Sequence, residues 1–179
     1  MNDVFQLDDR GLNVLRSVIR DLQPQIICEC GSGRSTTLFA HLHRVGAIKN
    51  WISLEHLSEF VEATRNLIPA TQRNHIIHAP LVPSAYGPWY ETAHIPPDPI
   101  DFVFIDGPPA HSYTFARHPA IPLLTPYCAD TAYYLLDDAN RRGEKIGISN
   151  WLQLPGVELV QKYQSEHGMV LLKRSKPGR

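Results

Sequence analysis

Residues 25–37, QIICECGSGRSTT, constrain the fold of this chain more than any other stretch. The apolar run Ile26-Ile27-Cys28 ends at Glu29, the turn Gly31-Ser32-Gly33 follows, and Ser35-Thr36 opens a helical pattern, Leu38-Phe39-Ala40-His41-Leu42. Strand, glycine turn and helix form the first unit of a doubly wound α/β sheet of the nucleotide-binding kind. The glycines let the backbone turn tightly and approach a ligand closely. The helix start presents free N–H groups and a partial positive charge.

The rest of the chain repeats this alternation. Asp8 or Asp9 caps a helix running to about Leu22, with Leu12, Leu15, Val18, Ile19 and Leu22 as its apolar stripe. Pro24 forces an extended entry into the first strand, residues 25–30, and the helix after the glycine turn runs to about Val45, where Gly46 ends it. Residues 51–55 form a second strand, 57–67 a helix closed by Pro69, and 75–78 a short third strand. The clearest buried strand is 101–105, ending at Asp106-Gly107-Pro108-Pro109. A helix is expected near 113–124, disturbed by Pro119 and Pro122, then a fifth strand over 131–136 and a helix around 140–152. The runs 157–163 and 168–173 close the chain as an antiparallel pair. The expected fold is therefore a Rossmann-like sheet, mostly parallel, in one domain covering residues 1–179.

Most of the 15 prolines fall between Pro80 and Pro126, so the middle of the chain is loop-rich. Residues 80–99 are too proline-rich for a helix or a central strand. Connections of that length are usually functional or disordered, and Tyr86, Trp89 and Tyr90 argue against simple disorder. These aromatics either line a ligand pocket, form a lid, or pin the loop to the core.

Seventeen Lys and Arg against 18 Asp and Glu give no electrostatic reason to expect nucleic acid or an acidic membrane as partner. With no signal-peptide pattern at Met1-Asn2-Asp3-Val4 and no apolar run long enough to span a bilayer, a cytoplasmic protein is expected. The three cysteines, Cys28, Cys30 and Cys128, do not suggest a disulfide framework. Cys28 and Cys30 share one strand face and read as small buried hydrophobes.

Ligands of doubly wound sheets bind beyond the carboxyl ends of the strands. Glu29, Glu55, Asp106, Asp137 and Asp138 all fall at such ends. A phosphate-binding loop, G-x-x-x-x-G-K-[ST], fails because Cys28 stands at its first glycine and Arg34 at its lysine. A dinucleotide fingerprint, G-x-G-x-x-G, fails at Thr36.

Glu29-Cys30-Gly31-Ser32-Gly33-Arg34-Ser35-Thr36 resembles the first motif of class I S-adenosylmethionine-dependent methyltransferases. Phe104-Ile105-Asp106-Gly107-Pro108-Pro109, with His111-Ser112-Tyr113 after it, resembles the fourth-strand motif of a small subfamily that reads F-I-D-G followed by H-S-Y. Two extra residues, Pro109 and Ala110, separate the halves here. The resemblance covers about residues 25–140 and implies S-adenosylmethionine as cofactor. It implies that Glu55 holds the ribose hydroxyls, since a carboxylate accepts two hydrogen bonds from a diol. It places Glu29 toward the methionine end. Gly31, Ser32, Gly33, Ser35 (at the third glycine position), Thr36, His56 and Asp106 complete the implied cofactor set, with His78 near the adenine.

Methyl transfer requires aligning the nucleophile with the methyl group and, for a hydroxyl acceptor, removing its proton. Asp106, His111 and Asp138 are the candidate catalytic residues, His111 because imidazole titrates near neutrality. The resemblance to metal-assisted O-methyltransferases of the catechol type implies Mg²⁺ or Ca²⁺ at Asp106, Asp137 and Asp138. Asp138-Ala139-Asn140 departs from that family's adjacent Asp-Asn. The implied activity is methylation of a small-molecule acceptor, at oxygen. The acceptor site then comes from the N-terminal helix, from residues 80–99, or from a second subunit in a homodimer. The competing readings are a non-catalytic binding or assembly module on the same fold and an NAD-linked oxidoreductase. The missing third glycine and the lack of a Tyr-x-x-x-Lys pair count against the oxidoreductase.

Overall fold

Asp8 begins the first helix. Its carboxylate accepts the Gly11 amide at 2.6 Å and caps α1 (Asp9–Leu22), and Gln23 leaves the helix in the left-handed region just before Pro24. The computed structural model describes residues 7–109 and 115–176. After α1 come β1 (Ile26–Cys30), α2 (Arg34–Arg44), β2 (Asn50–Glu55), α3 (Ser58–Arg65) and β3 (Ile76–His78). The short strands β4 (Leu81–Val82) and β5 (Trp89–Tyr90) precede β6 (Ile100–Ile105), α4 (Ala120–Leu124), β7 (Cys128–Leu136) and α5 (Arg142–Trp151). β8 (Val157–Tyr163) and β9 (Met169–Ser175) end the described chain.

Seven strands form one sheet in the order β3-β2-β1-β6-β7-β9-β8. β3, β2, β1, β6 and β7 are parallel, while β9 runs antiparallel to both β7 and β8. The chain winds outward from β1 to β3, then returns to β6 on the other side of β1. The strand order reverses between β1 and β6, which is where such a sheet opens a ligand crevice. The Asp101 carboxylate fixes the amino ends of this pair by accepting the amides of Gln25 and Ile26, at 2.9 and 3.0 Å.

Alternation along the strands builds two core layers. Ile27, Trp51, Phe102, Phe104 and Leu135 face α1 and α2, against Leu15, Val18 and Phe39. Cys28, Cys30, Ile52, Leu54, Val103, Ile105 and Tyr134 face the other way, against Trp89, Tyr90, Ile121, Leu124 and Trp151. Cys28 and Cys30 are fully buried, as their shared face predicts, and the three cysteines are free. The contact with Cys30, with burial, pushes the Cys28 thiol well above its ordinary pKa, so it is no nucleophile.

Two expectations change. Residues 80–99 are not plain loop: β4 and β5 pair antiparallel as a separate two-stranded sheet, Leu81 with Tyr90 and Val82 with Trp89. The helix expected over 113–124 is only Ala120–Leu124, preceded by turns over 115–119. Pro119 stands at its N-cap and Pro122 in its first turn, where a missing N–H costs little. Residues 110–114 lie outside the described residues. No helix among the described residues is long and apolar enough to cross a membrane.

Candidate functional site

Gly31 and Gly107 set the floor of the crevice. Gly31 follows β1 with φ +90°, and a Cβ there would lie 3.3 Å from the Asp106 carbonyl carbon and the Gly107 nitrogen. Gly107 follows β6, and a Cβ there would lie 3.1 Å from Gly31 Cα. The two strand ends touch because neither residue has a side chain. A Cβ on Gly33, in contrast, would meet nothing within 4 Å.

Glu55, at the end of β2, clasps this turn. Its Oε2 accepts the Ser32 amide at 2.9 Å and the Ser32 hydroxyl at 3.2 Å. Its Oε1 accepts the Leu57 amide at 3.0 Å and lies 3.0 Å from His56 Nδ1. Burial alone would raise the Glu55 pKa, but the donors His56, Leu57 and Ser32 outweigh it and hold the carboxylate below its ordinary value. The residue is an anion built into the turn.

Glu29 takes a different place. Alternation puts it on the Ile27 face, sealed beneath α2 and fully buried, rather than on the open side of the turn. The Gly33 amide donates to Thr36 Oγ1 at 2.9 Å, and Thr36 Oγ1 donates to Glu29 Oε2 at 2.7 Å. Ser53, its neighbour on β2, donates to the same oxygen. Ser35 is buried as well. Glu29 and Thr36 thus hold the glycine turn from below. Burial pushes the Glu29 pKa up to about 7, against the lowering pull of its hydroxyl donors.

Across the crevice, Asp106, Asp137 and Asp138 converge, with one oxygen from each lying within 4.8 Å of the others. Asp138 achieves this with φ 58°, a left-handed conformation that concentrates at functional sites. Arg117, which the sequence reading passed over, stands among them and is almost fully buried. Its Nη2 lies 2.9 Å from Asp138 Oδ2 and 3.3 Å from Asp106 Oδ1, and donates to the Asp106 carbonyl at 2.8 Å. Its Nη1 donates to the Asp137 carbonyl at 2.8 Å. Arg141 adds a second cation 2.6 Å from Asp138 Oδ2. Burial and then the Asp137 charge raise Asp106 well above the carboxylate range, while Arg117 opposes the rise. Burial and Asp138 push Asp137 to about 6. The backbone N–H of Asn140 donates to the His167 carbonyl at 2.8 Å, and its side chain packs against Gly168.

Tyr90 joins the two halves of the site. It is buried against the His56 ring, at 6.0 Å between centroids, and its hydroxyl lies over Gly107 with no hydrogen-bond partner. Trp89 packs edge-on beside it, so these two aromatics pin the β4–β5 hairpin to the core, while Tyr86 stays exposed. His56 borders the turn, and His78 Nε2 lies 3.2 Å from the His56 carbonyl oxygen. His111 lies outside the described residues. Gly31, Ser32, Gly33, Glu55, His56 and Asp106 therefore meet at the β1/β6 crevice, and Glu29, Ser35 and Thr36 support it from beneath. Tyr90 was legible as an aromatic in a long loop. Arg117 carried no sequence signal beyond a cation between Ala116 and His118, just before Pro119.

No protein-family model and no curated protein matches the chain. Solved structures do. A methyltransferase from Geobacter sulfurreducens superposes with a TM-score of 0.67 at 15% identity, covering 94% of this chain and 80% of its own. An O-methyltransferase from Bacillus cereus, in complex with S-adenosylhomocysteine, gives 0.66 at 12% identity, over 97% and 84% of the two chains. An O-methyltransferase from Streptomyces achromogenes involved in tomaymycin synthesis, in complex with S-adenosylmethionine, gives 0.65 at 12% identity, over 98% and 83%. At these identities the likeness carries the architecture alone: the chain shares the Rossmann-like fold of these methyltransferases.

Proposed function

We propose that this protein is an S-adenosylmethionine-dependent methyltransferase that methylates a small-molecule acceptor at oxygen. The observation that carries the reading is Glu55, an anion held against the Gly31–Gly33 turn at the sheet's switch point, where the Asp106 backbone packs against Gly31. The open space at Gly33 leaves room beside this turn for a ligand. When bound, the cofactor supplies a sulfonium-activated methyl group. The chain's residues do the rest.

Glu55 takes the ribose diol, which displaces the Ser32 hydroxyl from Oε2 and leaves the Ser32 and Leu57 amide donors in place. Gly31, Ser32 and Gly33 bring backbone against the cofactor, and Tyr90 and His56 border its ring. Glu29, Ser35 and Thr36 keep the turn rigid from below. Asp106 is the most open of the three aspartates, with 21% of its side chain exposed. Its carboxylate, oriented by Arg117 and with Asp138 beside it, is placed to accept the acceptor's proton.

One observation favours the second reading, a binding module without turnover: Glu55 already accepts the Ser32 amide and hydroxyl and the Leu57 amide, and Tyr90 is buried over the turn. Thermal melting with S-adenosylhomocysteine tests the cofactor assignment. The wild type is expected to melt higher with the ligand. Glu55→Ala, compared with its own ligand-free melt, is expected to bind ten- to a hundred-fold more weakly, roughly the worth of charge-assisted bonds to a diol. An equal ligand-induced rise in both proteins sinks the assignment.

A further inference from the structure

We propose that Arg117 is the built-in cation of this site, so that the strand-end aspartates hold a guanidinium where a divalent ion would otherwise sit, and the site works without metal. The inference rests on the methyltransferase reading only for what the site does; the cation's place stands on the geometry alone. A divalent ion between Asp106 and Asp138 needs their oxygens at about 2.0–2.6 Å and several further oxygen ligands. Here Nη2 of Arg117 lies 3.3 Å from Asp106 Oδ1 and 2.9 Å from Asp138 Oδ2, occupying the place between them. A metal held by both oxygens would be pressed against the guanidinium, a like charge in a buried position.

Arg117 is also not free to swing out. Its remaining donors go to backbone carbonyls: Nη2 also to Asp106 and Nη1 to Asp137, at the ends of β6 and β7, and Nε to Pro108 at 3.5 Å. The side chain is 3% exposed. Arg141 takes a second share of Asp138 Oδ2 at 2.6 Å, and Glu144, itself buried, faces Arg117 from α5. Asn140, the nearest amide oxygen in sequence, packs against Gly168 instead of completing a ligand sphere. Arginine suits this role because its planar fork donates to several oxygens at once and never loses its charge. It acts as a positioning residue: it fixes the two strand ends and the orientation of the Asp106 carboxylate that faces the acceptor.

The test is calorimetric titration of the full-length protein with MnCl2, MgCl2 and CaCl2 in the absence of cofactor, alongside thermal melts with each salt and with EDTA. No cofactor enters this measurement, so its outcome is independent of the methyltransferase assignment. The wild type is expected to bind none of the three ions saturably and to melt at the same temperature with metal and with EDTA. Arg117→Gln, which removes the charge and leaves the aspartates, is expected to gain saturable Mn²⁺ binding and a metal-dependent rise in melting temperature. If that variant is unfolded, restoration of its native circular dichroism by Mn²⁺ supports the proposal equally. Saturable binding by the wild type that Asp106→Asn abolishes would overturn it. So would an Arg117→Gln chain, folded or not, that responds to none of the ions.

Discussion

Gly31→Ala is expected to lower stability by about 3 kcal/mol and to remove cofactor binding. Two costs add. An alanine at φ +90° pays the left-handed penalty, about 1–2 kcal/mol. Its Cβ also meets Asp106 and Gly107 backbone at 3.3 Å, where neither strand end can yield without parting β1 from β6. Overpacking of that kind costs about 1–3 kcal/mol. For a chain of this size the sum lowers the melting temperature by roughly 6–12 °C. Gly33→Ala supplies the contrast. A Cβ there meets nothing within 4 Å, so it should disturb the fold less, yet it projects into the open space assigned to the ligand. Denaturant melts of both variants check the pair. Equal stability losses in the two would contradict the account of the crevice floor.

Glu29→Gln is expected to stabilise the protein at about pH 8 and to flatten its stability between about pH 4.5 and 7. Burial raises the folded-state pKa of Glu29 to about 7, above its unfolded value. Between those values the folded chain keeps a proton that the unfolded chain releases. Its contribution is therefore complete below about pH 4.5 and is lost as pH rises through 7, a loss on the order of 3 kcal/mol. Asp137, raised to about 6, adds a slope of the same sign at lower pH. Glutamine imitates the protonated acid: it keeps one oxygen for Thr36 and Ser53 and carries no charge to bury. Urea melts across this pH range decide. A variant with the wild-type slope would mean that Glu29 does not titrate in that window.

The elements the sequence made legible are those in which local pattern and tertiary environment agree. β1, β2 and β6 are short apolar runs buried on both faces, bounded by turn residues, and such runs are strands in almost any context. The glycine turn declared itself because a positive φ and a backbone contact tolerate no other residue. The β4–β5 hairpin was hidden because Pro83 and Pro88 suppress the strand signal between Leu81 and Tyr90, and the pairing is only two residues long.

Glu29 shows a subtler limit. Its position one residue before Cys30 puts it on the α2 face by simple alternation, and that signal was available beside the motif that suggested a ligand contact. Arg117 is the opposite case. Nothing within a few residues of it demands burial, and only the meeting of β6, β7 and α5 supplies the carboxylates that hold it there. The aspartates were readable as strand-end acids; the cation that balances them is a tertiary fact.

The central claim is that the crevice between β1 and β6 binds S-adenosylmethionine. Isothermal titration of the wild type with S-adenosylmethionine and S-adenosylhomocysteine, in EDTA, addresses it directly. The account predicts one saturable site for each, with micromolar affinity, about −8 kcal/mol. A folded sample that gives no binding heat with either ligand, and none when Mg²⁺ is restored, would contradict it.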